Sequence, residues 1–202
     1  MNSSLLKCLV LVGAVCGVYS YGSGAPPKAC VSMEPGHTGI SPQTLTSPYS
    51  ITVSTTTYQP NQQITVTISG GGNHQGLLLQ ARQSGATTPI GTFSTPSTNT
   101  KTIQCTAAGD SWTHSSQTDK PTSTVMWTAP STDMGQITFS ATIAQNKNTY
   151  WMNHESQALA FMSGSTMSSA NVPITTPGSG SSGTRLGIAS VLAVAITAFY
   201  LL

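Results

Sequence analysis

Gln63-Ile64-Thr65-Val66-Thr67-Ile68-Ser69 is the stretch that decides how this chain folds. Ile64, Val66 and Ile68 stand two residues apart, with a hydroxyl residue between each pair. On an extended backbone successive side chains point to opposite faces, so this stretch reads as a strand with one apolar face and one hydroxyl face. A helix would scatter the same residues around its circumference.

The pattern returns on both sides. Ser50-Ile51-Thr52-Val53-Ser54 alternates in the same way, and Ile137, Phe139, Ala141 and Ile143 repeat it later in the chain. Leu77-Leu78-Leu79 is a continuous apolar run, which suits a strand buried on both faces. Pro89-Ile90-Gly91-Thr92-Phe93, Thr102-Ile103-Gln104-Cys105 and Thr124-Val125-Met126-Trp127 complete a set of short strands. Turn signals separate them: Gln59-Pro60-Asn61, Gly70-Gly71-Gly72-Asn73, Ser84-Gly85-Ala86 and Ala129-Pro130-Ser131. The triple glycine has no following Lys-Ser/Thr, so it reads as a hairpin turn rather than a phosphate loop. Helical periodicity is absent between the two ends. The expected fold is all-β, a two-sheet antiparallel β-sandwich of seven to eight strands.

The ends differ from this middle. Lys7 followed by Leu9-Val10-Leu11-Val12-Gly13-Ala14-Val15, with Val18-Tyr19-Ser20 as a small-residue cleavage pattern, predicts a signal peptide over residues 1–20. The folded domain is expected over residues 21–161. Residues 162–183 lose the alternation, become rich in Ser, Thr, Gly and Pro, and read as a solvated stalk. Residues 184–202 contain the apolar run LGIASVLAVAITAFYLL with nothing charged after it. Small residues, a polar spacer and an apolar end describe a glycosylphosphatidylinositol (GPI) attachment signal, with Gly178 and Ser179 as candidate attachment residues. A short C-terminal transmembrane helix is the alternative. Either tether places the protein on the extracellular face of the plasma membrane, and a secreted form is the remaining alternative.

Cleavage of the signal peptide removes Cys8 and Cys16 and leaves Cys30 and Cys105. In an oxidising compartment that pair permits one intramolecular bridge, and two unpaired thiols are the alternative. Charged residues make up 6% of the chain and the formal net charge is +2. A typical soluble domain carries roughly 25% charged residues, and nucleic-acid binding would call for a far more basic surface. The acidic residues Glu34, Asp110, Asp119, Asp133 and Glu155 are scattered, without the spacing of an acid–base pair. His37, His74, His114 and His154 lie far apart and read as loop or surface histidines, so neither a metal nor any other cofactor is expected. No GxSxG occurs. Trp127 alternates with Val125 and reads as core. Tyr150 and Trp151 are neighbours and must face opposite ways on a strand. Trp112, in the polar stretch 109–120, is the aromatic expected to make surface contacts.

Several stretches together resemble a known family. Ala29-Cys30-Val31-Ser32-Met33 with Pro35 and His37, then Ser41-Pro42-Gln43 and Pro48-Tyr49, open the domain. Tyr58-Gln59-Pro60, the 63–70 strand, Gly76-Leu77-Leu78-Leu79-Gln80-Ala81-Arg82, Thr113-His114, Val125-Met126-Trp127-Thr128-Ala129-Pro130 and Tyr150-Trp151 follow in order. Over about residues 25–161 the chain resembles the reeler (reelin N-terminal) domain, a β-sandwich found in reelin, in ferric-chelate reductase 1-like proteins and in small secreted insect defence proteins. The resemblance implies that Cys30 pairs with Cys105. It implies no activity, because redox chemistry in the reductase-like proteins resides in haem-binding modules beyond the reeler domain. The function expected is therefore a non-enzymatic, membrane-tethered recognition or adhesion module. Its partner would be an extracellular glycan, lipid or protein on a microbial or matrix surface, with innate defence as one expected setting. The alternative, by analogy with the multidomain relatives, is an accessory to ferric or haem redox chemistry.

Overall fold

The computed structural model describes residues 21–163. The expected signal peptide at 1–20, almost all of the expected stalk, the attachment candidates Gly178 and Ser179 and the apolar tail lie outside the described residues. Among the described residues no helix is long and apolar enough to cross a membrane.

Two antiparallel sheets form the molecule. The first has four strands in the order β1 (Tyr49–Val53), β3 (Gln63–Gly70), β8 (Ser123–Thr128) and β5 (Thr92–Ser94). The second has five, in the order β10 (Thr149–Glu155), β9 (Ile137–Asn146), β4 (Gly76–Gln83), β7 (Ser111–His114) and β6 (Thr100–Ile103). A short parallel ladder joins β2 (Thr57–Tyr58) to β11 (Ala160–Phe161). The fold is the expected β-sandwich, but its two sheets hold four and five strands, nine in place of seven to eight, because the polar stretch Ser111–His114 is a strand as well.

Register explains the core. Val53 pairs with Val66 and Val66 with Val125, while Ile64 stands opposite Trp127, which stands opposite Phe93. From the second sheet Leu77, Leu79, Ala81, Phe139, Ala141 and Ile143 face the same interior, all buried. Trp127 meets Phe139 edge to face at 5.2 Å, the geometry that aromatic quadrupoles prefer. Its indole N–H donates to the Ile90 carbonyl at 3.0 Å, so the large ring is buried without an orphaned donor.

Two expectations are corrected. Trp112 is no surface aromatic: it is fully buried in the core, on β7, opposite Leu79. Its neighbours Ser111 and Thr113 are polar yet equally buried, so the stretch looks like a loop although it is an inner strand. Gly70-Gly71-Gly72 is no hairpin turn, because β3 and β4 belong to different sheets. All three glycines have positive φ, between 64° and 84°, and carry the chain from one sheet to the other.

Candidate functional site

Strand β4 is buried on both faces, as the run Leu77-Leu78-Leu79 requires. Its outer face is covered by residues 21–40, a strap that crosses the five-stranded sheet. Ala29 and Met33 of the strap pack on Leu78 and form a small second core. The short turn Pro27–Ala29 begins on two prolines whose missing N–H groups leave nothing unsatisfied there.

Polar bonds fix the strap along its length. Cys30 and Cys105 are bonded to each other, with Cα atoms 5.7 Å apart. The buried Arg82 donates from Nη2 to the Cys30 carbonyl at 2.7 Å, and from Nε to Gln80 Oε1 at 2.8 Å. Thr142 Oγ1 donates to the Met33 carbonyl at 2.6 Å, and the Ala25 N–H donates to Thr113 Oγ1 at 3.0 Å. The Tyr150 hydroxyl donates to the Ile40 carbonyl at 2.9 Å.

His114 closes the other end. The Leu77 N–H donates to its Nδ1 at 3.2 Å, so the ring proton belongs on Nε2, which lies 3.0 Å from the Tyr21 carbonyl. That assignment makes His114 a neutral clip between β4 and the start of the strap. Its pKa is lowered, chiefly by burial, with Lys120 and Lys101 adding to the effect and the bonds to Leu77 and Tyr21 opposing it.

Between strap and sheet lies an apolar cavity of about 70 Å³ with Ala29, Met33, Leu77, Leu78 and Ala144 among its walls. It shares Tyr21, Pro26, Glu34 and His37 with an open trough of about 680 Å³ on the outside of the strap. Tyr21 roofs the cavity by lying on Gly36, where a Cβ would stand 2.4 Å from the tyrosine ring. Lys28 sits 5.3 Å above that ring. His37 rests edge-on against Tyr150 at 5.5 Å, and its Nδ1 is buried without a hydrogen bond. Burial lowers its pKa, and Lys147 and His114 push it further the same way.

Charge is gathered here too. Lys7 and Arg185 account for the whole formal +2, so the described part is neutral overall. Of its basic residues, Arg82 and Lys120 are buried; Lys120 Nζ donates to the carbonyls of Gln75 at 2.8 Å, Ser116 at 2.9 Å and Thr118. The exposed cations are Lys28, Lys101 and Lys147. All three border the strap: Lys28 over Tyr21, Lys101 against Gly24, and Lys147 at the cavity near His37.

The histidines are thus not uniformly loop or surface residues. His37 and His114 line one cleft, and His74 is fully buried with Nε2 2.8 Å from Ser123 Oγ. Sequence reasoning missed this convergence because 77 positions separate His37 from His114. The one available signal was Leu78, whose apolar side chain on the outer face required a cover. Among the described residues no three His, Cys, Asp or Glu side chains form a group able to hold a metal.

Comparison with known proteins agrees with the fold. The Reeler domain profile matches residues 28–167. Ferric-chelate reductase 1 of Mus musculus is 34% identical over 179 residues, 85% of this chain and 30% of that protein. Defense protein l(2)34Fc of Drosophila melanogaster is 33% identical over 153 residues, 73% of this chain and 94% of that protein. This chain therefore spans less than a third of the reductase but nearly all of the defence protein. The crystal structure of the human F-spondin reeler domain superposes with a TM-score of 0.52 at 19% identity, covering 62% of this chain and 96% of that one.

Proposed function

The chain belongs to the reeler family, and on that premise we propose that it is a non-enzymatic extracellular recognition or adhesion module, tethered to the cell surface and serving in innate defence. The observation that carries this reading is the match in extent: this chain spans 94% of the Drosophila defence protein, so one reeler domain is common to both. The disulfide supports an oxidising compartment, because such bridges persist outside the cytosol. The small residues at Gly178 and Ser179, followed by an apolar end, support a lipid tether.

The similarity to ferric-chelate reductase 1 favours a second reading, an accessory to ferric or haem redox chemistry, which a haem absorption band or ferric reduction by the purified protein would support. The tether is tested on intact expressing cells. Phosphatidylinositol-specific phospholipase C should release the protein into the medium without the 186–202 peptide. Retention on the membrane with that peptide intact would mean a single-pass helix instead. Recognition is tested by binding of the released protein to microbial glycans, lipids and matrix proteins, and silence on all of them overturns it.

A further inference from the structure

We propose that the cleft under the strap binds the acidic, N-acetylated end of a glycan; this rests on the reading of the protein as a recognition module and names what it recognises. The cavity sets the first limit. At about 70 Å³ it is half the size of a cavity that accepts benzene, so neither a ring nor an acyl chain fits, but a methyl-bearing group of a few atoms does. Its floor of Ala29, Met33, Leu78 and Ala144 is apolar, which suits the acetyl methyl.

His37 supplies the second. Its Nδ1 is the buried atom in this wall that makes no hydrogen bond. An acetamido group would bring an amide beside its methyl, and a turn of the His37 ring that opens the closed-off Nδ1 to the cavity would let the two meet. Leaving such an atom unpaired is costly, and a ligand amide would recover part of that cost.

The trough and the lysines supply the third. The outer trough, about 680 Å³, lies within the usual size of small-ligand sites and has room for a sugar ring or two outside the cavity. Ser32, Thr38 and Ser41 give it hydroxyl walls. Lys28 and Lys147 flank the cleft, Lys101 lies behind it, and Glu34 is the carboxylate that faces them. Asp110 and Asp119 are committed elsewhere, to the 105–107 backbone and to Asn73 and Gln75 respectively. On a domain with no net charge, cations gathered on one side favour a ligand that carries a negative charge beside its acetamido group.

The test uses the full-length protein purified from expressing cells, with ligand binding followed by titration calorimetry and by the His37 ring resonances. The probes are a trisaccharide ending in N-acetylneuraminic acid, its N-glycolyl counterpart, N-acetylglucosamine and glucuronic acid. The first should bind at least tenfold more tightly than the other three, because each of those lacks the acid, lacks the acetyl group or adds a hydroxyl to the apolar floor. Lys28→Ala with Lys147→Ala, both exposed, should weaken it about tenfold without changing Tm. His37→Phe, which keeps the ring against Tyr150, should erase the preference for the acetylated sugar. Equal binding of all four probes, or binding that survives the lysine and histidine substitutions, overturns the cleft assignment. If the protein still binds other surface glycans, lipids or matrix proteins in that case, the recognition reading stands; if it binds nothing, both fall.

Discussion

Trp112 shows how a single residue can mislead at the sequence level and then anchor the structure. It sits between Ser111 and Thr113 in a polar stretch, yet its ring fills the interior opposite Leu79 and Thr102. Its indole Nε1 is buried without a hydrogen bond, an asymmetry that separates two substitutions. Trp112→Ala deletes the whole ring and should cost about 3–5 kcal/mol, the range for large-to-small changes at buried aromatic sites. Trp112→Phe leaves a smaller void and also removes the unsatisfied donor, so it should cost about 1 kcal/mol. Urea unfolding of the two variants would give the difference directly. Equal losses would mean that the ring volume is not what Trp112 contributes. In either variant the cleft, on the other face of the sheet, should keep its ligand preference.

Among the elements, legibility in the sequence follows whether apolar residues alternate with hydroxyls or run together. Strands β1, β3 and β8 were readable because apolar and hydroxyl residues alternate along much of each, the pattern of a sheet with one face on the core, and β9 keeps that alternation although its Ser140 and Thr142 are buried as well. Strand β7 was not, because its outer face is also buried, beneath the strap, and is paired through hydroxyls: Thr113 Oγ1 donates to the Leu77 carbonyl at 2.6 Å and Ser111 Oγ lies 3.0 Å from Cys105 Sγ. The strap itself has no periodicity to read. It is held by a disulfide, side chain-to-backbone bonds and the small Ala29–Met33–Leu78 core, all long-range. This arrangement makes the strap separable from the sandwich. The bridge closes a loop of 75 residues, for which the chain-entropy model gives about 4.5 kcal/mol. The Asp110 carboxylate accepts N–H bonds from Cys105, Thr106 and Ala107, at 2.7–2.8 Å, and holds the 105–110 turn in shape without the bridge. Cys30→Ser with Cys105→Ser should therefore loosen the strap first. Limited proteolysis should cut within residues 21–40 while the near-ultraviolet circular dichroism of buried Trp127 persists. Simultaneous loss of both signals would show that the strap and the sandwich unfold as one unit.

For the molecule as a whole, all four histidines have pKa values lowered, each chiefly by burial. His74 is the extreme case: fully enclosed, bonded to Ser123 and edge-on to Tyr49. Burial, with Lys120 and His114 adding repulsion, brings its pKa to about 4. In the unfolded chain a histidine takes up its proton near pH 6.5. The unfolded state therefore binds more protons than the native state throughout the interval between those values, and stability must fall as pH falls through it. The contribution is complete above about pH 6.5, declines steadily below that, and is spent near pH 4. For His74 alone the loss is on the order of 3 kcal/mol, and His37, His114 and His154 add to it in the same direction. Charged groups make up only 6% of the chain, so few others titrate in this range to mask the effect. Asp110 contributes at lower pH: burial would raise its pKa, but the N–H bonds outweigh burial and lower it, so its support survives until the pH falls below the ordinary carboxylate range. Thermal unfolding should accordingly give a level Tm from pH 8 to 7 and a drop of roughly 10 °C between pH 6.5 and 4.5. His74→Asn, less stable at neutral pH, should show a visibly shallower drop. A Tm that stays level down to pH 4.5 would mean that water reaches these rings, and that the packing of His74 against Tyr49 and Ser123 is more open than its contacts require.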